Sequence, residues 1–291
     1  MPKIIQISRE NVTLSAAIFE TTQPKVCVQI IHGAKEHKER YFNFAEYLAE
    51  HGIAVVISDN RGHGASLNKR YPLGHMENWQ EIVEDQHAVT QMIKTQFPQA
   101  KLCLLGHSLG SVFARCYLQK YDHEIDWLVL SGTANYIEAV EKGRKLAKLI
   151  TKLSGSQNHN KTLVKLGDGN EDDSWVCANP DTMEEYRNDP LCTGYTYTNG
   201  AILTIWEADY QLHQFQNYQC KNPNLSILSI SGMDDPVTGG REGLQDSDES
   251  LRRIGYRGMQ NLVYPGMKHE VLNEVERVKV YKDVLKFLSL S

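Results

Sequence analysis

Short apolar runs alternate with longer amphipathic stretches along most of this sequence, and that alternation narrows the folds open to it. Residues 26–31, 53–58, 102–105 and 127–130 are short, mostly apolar runs bounded by turn residues, and read as buried strands. Between them, residues 41–51 put Phe44, Tyr47 and Leu48 on one helical face and stop at Gly52. Asn78 caps a second helix that runs to Gln96 with Ile82, Val89 and Ile93 inward, and Pro98 ends it. A third helix follows from Ser108 to about Tyr121. Residues 225–230 and 262–264 read as two more strands, and residues 271–288 as a last helix. Strands separated by helices predict an α/β fold with a mostly parallel central sheet covered on both faces. Such a sheet carries its functional loops at the carboxyl ends of the strands.

The alternation breaks between residues 134 and 215, a stretch rich in Asn, Gly, Asp and Lys. We read residues 134–215 as a mainly helical insertion lying over the sheet as a cap. Residues 1–133 and 216–291 then form the core. A chain of 291 residues can build a core that excludes water without disulfides or metals. The net charge of −5 argues against a nucleic-acid partner. Cys27, Cys103, Cys116, Cys177, Cys192 and Cys220 form no CxxC pair, and all read as reduced thiols of a cytoplasmic protein. No signal segment is evident, and no stretch approaches the ~18 apolar residues of a membrane span.

Gly106-His107-Ser108-Leu109-Gly110 sits at a strand-to-helix junction, where Gly-x-Ser-x-Gly makes a sharp turn that presents the serine. A serine hydroxyl needs a base to take its proton. In chains built on this turn, an acid and then a histidine follow the serine. Four histidines lie downstream: His123, His159, His213 and His269. His123 is too close in sequence to return over the sheet, and His159 and His213 fall in the insertion. His269 follows a strand and the loop 265–268, so it is the expected base. The acid should follow strand 225–230, where Asp234 and Asp235 stand together. Pro236 restricts Asp235 to extended geometry, which suits a projecting side chain, so Asp235 is chosen and Asp234 is the fallback. An oxyanion hole needs two main-chain N–H groups. Leu109 supplies one, and Ala34, in the loop His32-Gly33-Ala34, is the candidate for the other.

Several segments in order, His32-Gly-Ala-Lys-Glu-His37 with Arg40-Tyr41, Asp59-Asn-Arg-Gly-His-Gly64 with Ser66, the serine turn, Gly232-Met-Asp-Asp-Pro-Val237 and Lys268-His-Glu-Val-Leu-Asn-Glu274, together resemble the monoacylglycerol lipase and lysophospholipase-like group of α/β-hydrolases. The resemblance implies an α/β-hydrolase fold and a serine carboxylic-ester hydrolase acting on lipid-like esters. Ser108, Asp235 and His269 would be the triad, and Ala34 and Leu109 the oxyanion hole. Glu36 and Arg40 would form an ion pair that shapes the loop carrying Ala34; a plain surface i,i+4 pair is the other reading. Lys35 stands where the animal lipases usually have glycine.

No metal or cofactor is called for, and the partner expected is a small-molecule ester. The sequence is silent on oligomeric state. In the insertion, Ile137, Val140, Leu146, Leu149, Ile150 and Leu153 recur at helical spacing, and residues 141–165 hold seven Lys or Arg against one Glu. The favoured expectation is that this apolar face packs on the core with its lysines solvated. The competing one is peripheral docking of the cap on an anionic membrane. Two other functions compete. A proline iminopeptidase-like aminopeptidase would use acidic groups in the insertion, such as Glu171, Asp172, Asp173, Glu184 and Glu185, to bind an amine. A non-catalytic binding protein on the same fold would not need Ser, Asp and His in order.

Overall fold

Strand side chains point to alternate faces, so a strand apolar at every position must be covered on both sides. That is the arrangement found in the computed structural model, which describes residues 1–167 and 172–289. The described residues form one eight-stranded sheet. Its strands are β1 (Lys3–Ser8), β2 (Thr13–Phe19), β3 (Val26–Ile31), β4 (Ala54–Ser58), β5 (Lys101–His107), β6 (Trp127–Ser131), β7 (Ser226–Gly232) and β8 (Gly258–Tyr264). The order across the sheet is β1-β2-β4-β3-β5-β6-β7-β8. β2 pairs antiparallel with β1 and β4, and the later pairings are parallel. The expected α/β class with a mostly parallel sheet is therefore observed.

Helices α1 (Phe42–Glu50), α2 (Trp79–Gln96) and α3 (Leu109–Tyr121) connect the first parallel strands. Cys27 and Ile31 of β3 pack with Ile82 and Val89 of α2 and Phe113 of α3. The intervening Val28 and Ile30 pack on the opposite face with Phe44 and Leu48 of α1. As expected, the Asn78 side chain caps α2 by accepting from Gln80 N.

Between β6 and β7, among the described residues, the chain is helical: α4 (Val140–Ser154), α5 (Lys161–Gly167), α6 (Pro180–Asn188) and α7 (Asn199–Gln211). α4 packs on α7 through a narrow stripe that includes buried Val140 and Ala147, with Gly143 against the Trp206 ring. Ile150 also packs against the core, half-buried, but the other apolar positions do not. Ile137 is 53%, Leu146 41%, Leu149 55% and Leu153 78% exposed, which overturns the favoured expectation for this face. Small residues fill the contact, and the leucines point away from it.

After β7 come α8 (Gly240–Ile254) and, beyond β8, α9 (Arg277–Ser289). Val280 and Val284 of α9 join α1 on its face of the sheet. The last helix starts six residues later than the expected 271, because Glu274 is used elsewhere. Its carboxylate accepts from Lys268 N and Ala178 N and holds residues 268–274 as turns. All six cysteines are free, and none of the described helices is long and apolar enough to cross a membrane.

Candidate active site

The site is built at the carboxyl ends of β5, β7 and β8, which lie on the same side because the strands run parallel. Ser108 sits at the β5–α3 junction with φ 53° and ψ −122°, a left-handed conformation rarely held by a non-glycine residue. Its neighbours make room for it. A Cβ on Gly110 would lie 2.1 Å from the carbonyl oxygen of Ile31, so only glycine lets α3 start this close to β3. The Ser108 N–H donates to Ser131 O at 2.9 Å, and the residue is half-buried.

His269 and Asp235, 34 residues apart, meet through a hydrogen bond from Nδ1 to Oδ2 at 2.9 Å, with both residues buried. The second oxygen of Asp235 accepts from Val237 N at 2.8 Å, and the backbone before Pro236 is extended, as the sequence implied. Asp234 is exposed and is not the partner. With Nδ1 donating to the carboxylate, Nε2 is left as the basic nitrogen. The ring lies 4.7 Å from that of His107 and 5.1 Å from that of Trp175. Burial, then the neighbouring His269, holds His107 well below its ordinary range, so it stays neutral beside the base.

The loop after β3 bends against Ser108. A Cβ on Gly33 would lie 2.2 Å from Glu36 Oε1 and 2.9 Å from Ser108 Cβ. Glu36 accepts from Gly33 N at 2.8 Å and from the Tyr41 hydroxyl at 3.2 Å. Its carboxyl is raised to about 7, first by burial and then by Glu270, with Arg40 opposing. The surface reading of the Glu36–Arg40 pair does not hold, since both side chains are buried at 3.9 Å. The tighter partner of Arg40 is Glu270, beside His269, at 2.5 Å. Lys35 adopts φ 53°, where an L side chain costs roughly 1–2 kcal/mol, so a glycine at this position has a physical reason.

Sequence reading missed what the inserted segment supplies. The Tyr197 hydroxyl accepts from Lys35 N at 2.8 Å and lies 3.0 Å from His63 Nε2. The main chain of Trp175 and Val176 accepts from the N–H groups of His269 and Glu270. These contacts join residues over a hundred positions apart or across the insertion, and no local pattern announces them. Ala34 and Leu109 border a cavity of about 470 Å³, with Trp175, Tyr186, Tyr197, Ile205 and Val237 on its walls and Lys35, Asp172 and Asp173 also lining it. That volume falls in the range of small-molecule sites. Glu171 lies outside the described residues. His37, Asp189 and Cys192 bring ligand-type atoms within 4.8 Å of one another. Both ring nitrogens of His37 are already taken by carboxylates, which suits an ion-pair cluster rather than a cation site.

Such a constellation can pass a proton from a serine hydroxyl to a carboxylate-oriented imidazole, beside main-chain donors at a mixed, mainly apolar cavity. The chain is 29% identical over 274 residues to the monoacylglycerol lipase of Mycolicibacterium smegmatis, covering 92% of this chain and 89% of that one. It is 25% identical to a Bacillus subtilis phospholipase, covering 92% and 97% of the two chains. The structure of a thermostable carboxyl esterase from Bacillus coagulans superposes with a TM-score of 0.88 at 22% identity, over 99% of this chain and 98% of the other, and shares the fold. The model of the family described as serine aminopeptidase, S33, matches residues 22–276, and the chain belongs to that family of α/β-hydrolases.

Proposed function

We propose that this protein is a serine hydrolase that cleaves carboxylic esters of lipid-like acyl chains, monoacylglycerol or lysophospholipid, through Ser108, His269 and Asp235. The observation that carries the reading is the buried Asp235–His269 hydrogen bond beside a largely apolar cavity that Ala34 and Leu109 border. His269 Nε2 takes the proton of Ser108 as Oγ attacks the ester carbonyl. The Ala34 and Leu109 N–H groups hold the oxyanion. The alcohol leaves with the proton from His269, and water cleaves the acyl-enzyme by the same route. Relatives named for monoacylglycerol and phospholipid cleavage support the substrate class.

Residues 134–215 serve as the cap in this reading, closing the cavity with Trp175, Tyr186 and Tyr197. The exposed Leu146, Leu149 and Leu153 share one face of α4, with Lys142, Lys145, Lys148 and Lys152 nearby and exposed. We assign this face to peripheral docking on anionic lipid. Six free thiols fit a reducing, cytoplasmic setting.

An aminopeptidase is the second reading, favoured by Asp172 and Asp173 at the cavity. Asp173 is already held by both nitrogens of an Arg187 fork, at 2.8 and 2.7 Å, which weakens it as an amine site. Rates on monoacylglycerol, lysophospholipid, p-nitrophenyl esters and aminoacyl amides decide between the two. The lipid reading expects ester turnover well above amide turnover, and the reverse order overturns it.

A further inference from the structure

The loop that carries Ala34 is anchored on the core side by Glu36 and by Lys38, whose N–H and Nζ both reach Asp59 at 2.8 and 2.7 Å. On its other side it meets the inserted segment at His37. This buried imidazole has a carboxylate on each nitrogen: Glu39 Oε2 at 2.5 Å from Nδ1 and Asp189 Oδ2 at 2.7 Å from Nε2. A neutral imidazole offers one donor and one acceptor, and an ionised carboxylate only accepts. Either the ring is doubly protonated or one carboxyl holds a proton. The carboxyls stay ionised: Glu39 is lowered to about 2 and Asp189 lies below its ordinary range, in each case because hydrogen bonds and nearby cations outweigh burial. The charge therefore falls on His37.

We propose that His37 is a positioning residue for the ester-hydrolase reaction, a cationic clip that ties the Ala34 loop to the end of α6. The proposal rests on the reading of Ala34 as an oxyanion donor. Asp189 suits the task because its other oxygen is fixed by Leu191 N at 2.8 Å, so the carboxylate that grips His37 cannot swing away freely. Tyr186, one turn earlier, places its ring 5.1 Å from the Arg40 guanidinium and also lines the Ala34 cavity. Losing the clip would then loosen a cavity wall and the oxyanion loop together.

The charged surroundings come from every neighbouring element. Lys38, Glu39 and Arg40 lie on the same turn, and Asp189 and Cys192 follow α6. Asp181 and Glu185 of α6 and Arg277 of α9 border the adjoining cleft of about 350 Å³. Burial works against the charge on His37, and its two carboxylate bonds outweigh it, so the group titrates above its ordinary 6.5. The sign follows: the clip is complete below about 6.5 and is lost as pH rises through the raised folded value.

Steady-state kinetics across pH 5.5–9.5 with a soluble p-nitrophenyl ester test this. His37→Gln should lower kcat about 10–100-fold at pH 6, the scale of a 1 Å misplacement, and should lack the alkaline fall expected of the wild type. His37→Lys, which stays cationic, should recover activity and hold it above pH 8. Asp189→Asn gives a second route should His37→Gln fail to fold, and should bring the His37 imidazole, followed by NMR, back toward its ordinary range. The proposal is overturned if folded His37→Gln keeps the wild-type pH profile, or if His37→Lys is no better than His37→Gln. It is also overturned if elemental analysis finds a stoichiometric metal on the purified enzyme. Fluorophosphonate labelling of Ser108 separates the outcomes, since a labelled enzyme indifferent to His37 rejects the clip and leaves the triad standing.

Discussion

The sheet and the inserted helices use leucine in opposite ways. In β5, Leu102, Leu104 and Leu105 are buried, with helices over both faces. In α4, Leu146, Leu149 and Leu153 face solvent while Val140 and Ala147 make the contact with the rest of the fold. The core buries its apolar surface in folding, whereas α4 keeps a stripe that nothing among the described residues covers. The difference separates two kinds of surface: a packed frame that holds the site's side chains, and a helix outside it with apolar surface to spare.

The comparison breaks most visibly if the core loops do not control chemistry. Asp235→Asn should cut kcat by about 10⁴, by losing the orientation of His269, with little change in melting temperature. Exposed Asp234→Asn should change kcat less than about 2-fold. Stability sharpens the contrast. Leu105→Ala should cost about 2–5 kcal/mol in urea unfolding, as a core cavity does. Leu149→Ala should stay within about 0.5 kcal/mol of wild type, and a larger loss would mean that α4 is packed after all. Replacing Leu146, Leu149 and Leu153 together with Gln should spare turnover of a soluble ester and abolish salt-sensitive co-sedimentation with anionic vesicles. Retained sedimentation rejects the docking role of this face.

A smaller test lies within the inserted segment. Asp209 of α7 is raised to about 7, chiefly by burial, while Ile137 N donates to it. The unfolded chain ionises this group near 3.8, so it weakens the fold increasingly from there to about pH 7. Asp209→Asn should therefore unfold at higher urea than wild type at pH 8, with the gap closing toward pH 4. Lys35→Gly should also have a small effect. It relieves the left-handed backbone and adds unfolded-state entropy, so stability should move by less than about 1 kcal/mol.

How much of this was legible follows from the same contrast. β3, β5 and β6 announced themselves because each holds a short run of mostly apolar residues, and Ser108 because a turn between strand and helix demands glycine at both ends. His269 and Asp235 followed from chain order and from Pro236. β8 was caught only at residues 262–264, since its first half, Gly258 to Asn261, holds one apolar side chain, Met259, beside exposed Gln260 and Asn261. α8 was missed because its buried side is Gly243, Ser247, Ser250 and Leu251, and small polar residues leave no hydrophobic period. β1 and β2 were also missed: β1 is a partly exposed edge, and β2 buries Ser15, Ala16 and Ala17, which carry little apolar signal. For α4 the periodicity was visible, but whether its leucines face the fold or the solvent depends on Trp206 and α7, which periodicity cannot reveal. Tyr197, Trp175 and the His37–Asp189 bond stayed hidden for the same reason, being contacts between distant parts of the chain.

The most direct test of the account is labelling with a fluorophosphonate followed by peptide mass spectrometry. One adduct should form, on the peptide containing Ser108, and it should vanish in Ser108→Ala while that variant melts as the wild type does. Stoichiometric labelling that persists in Ser108→Ala, or a folded wild type that takes up no label, would contradict it.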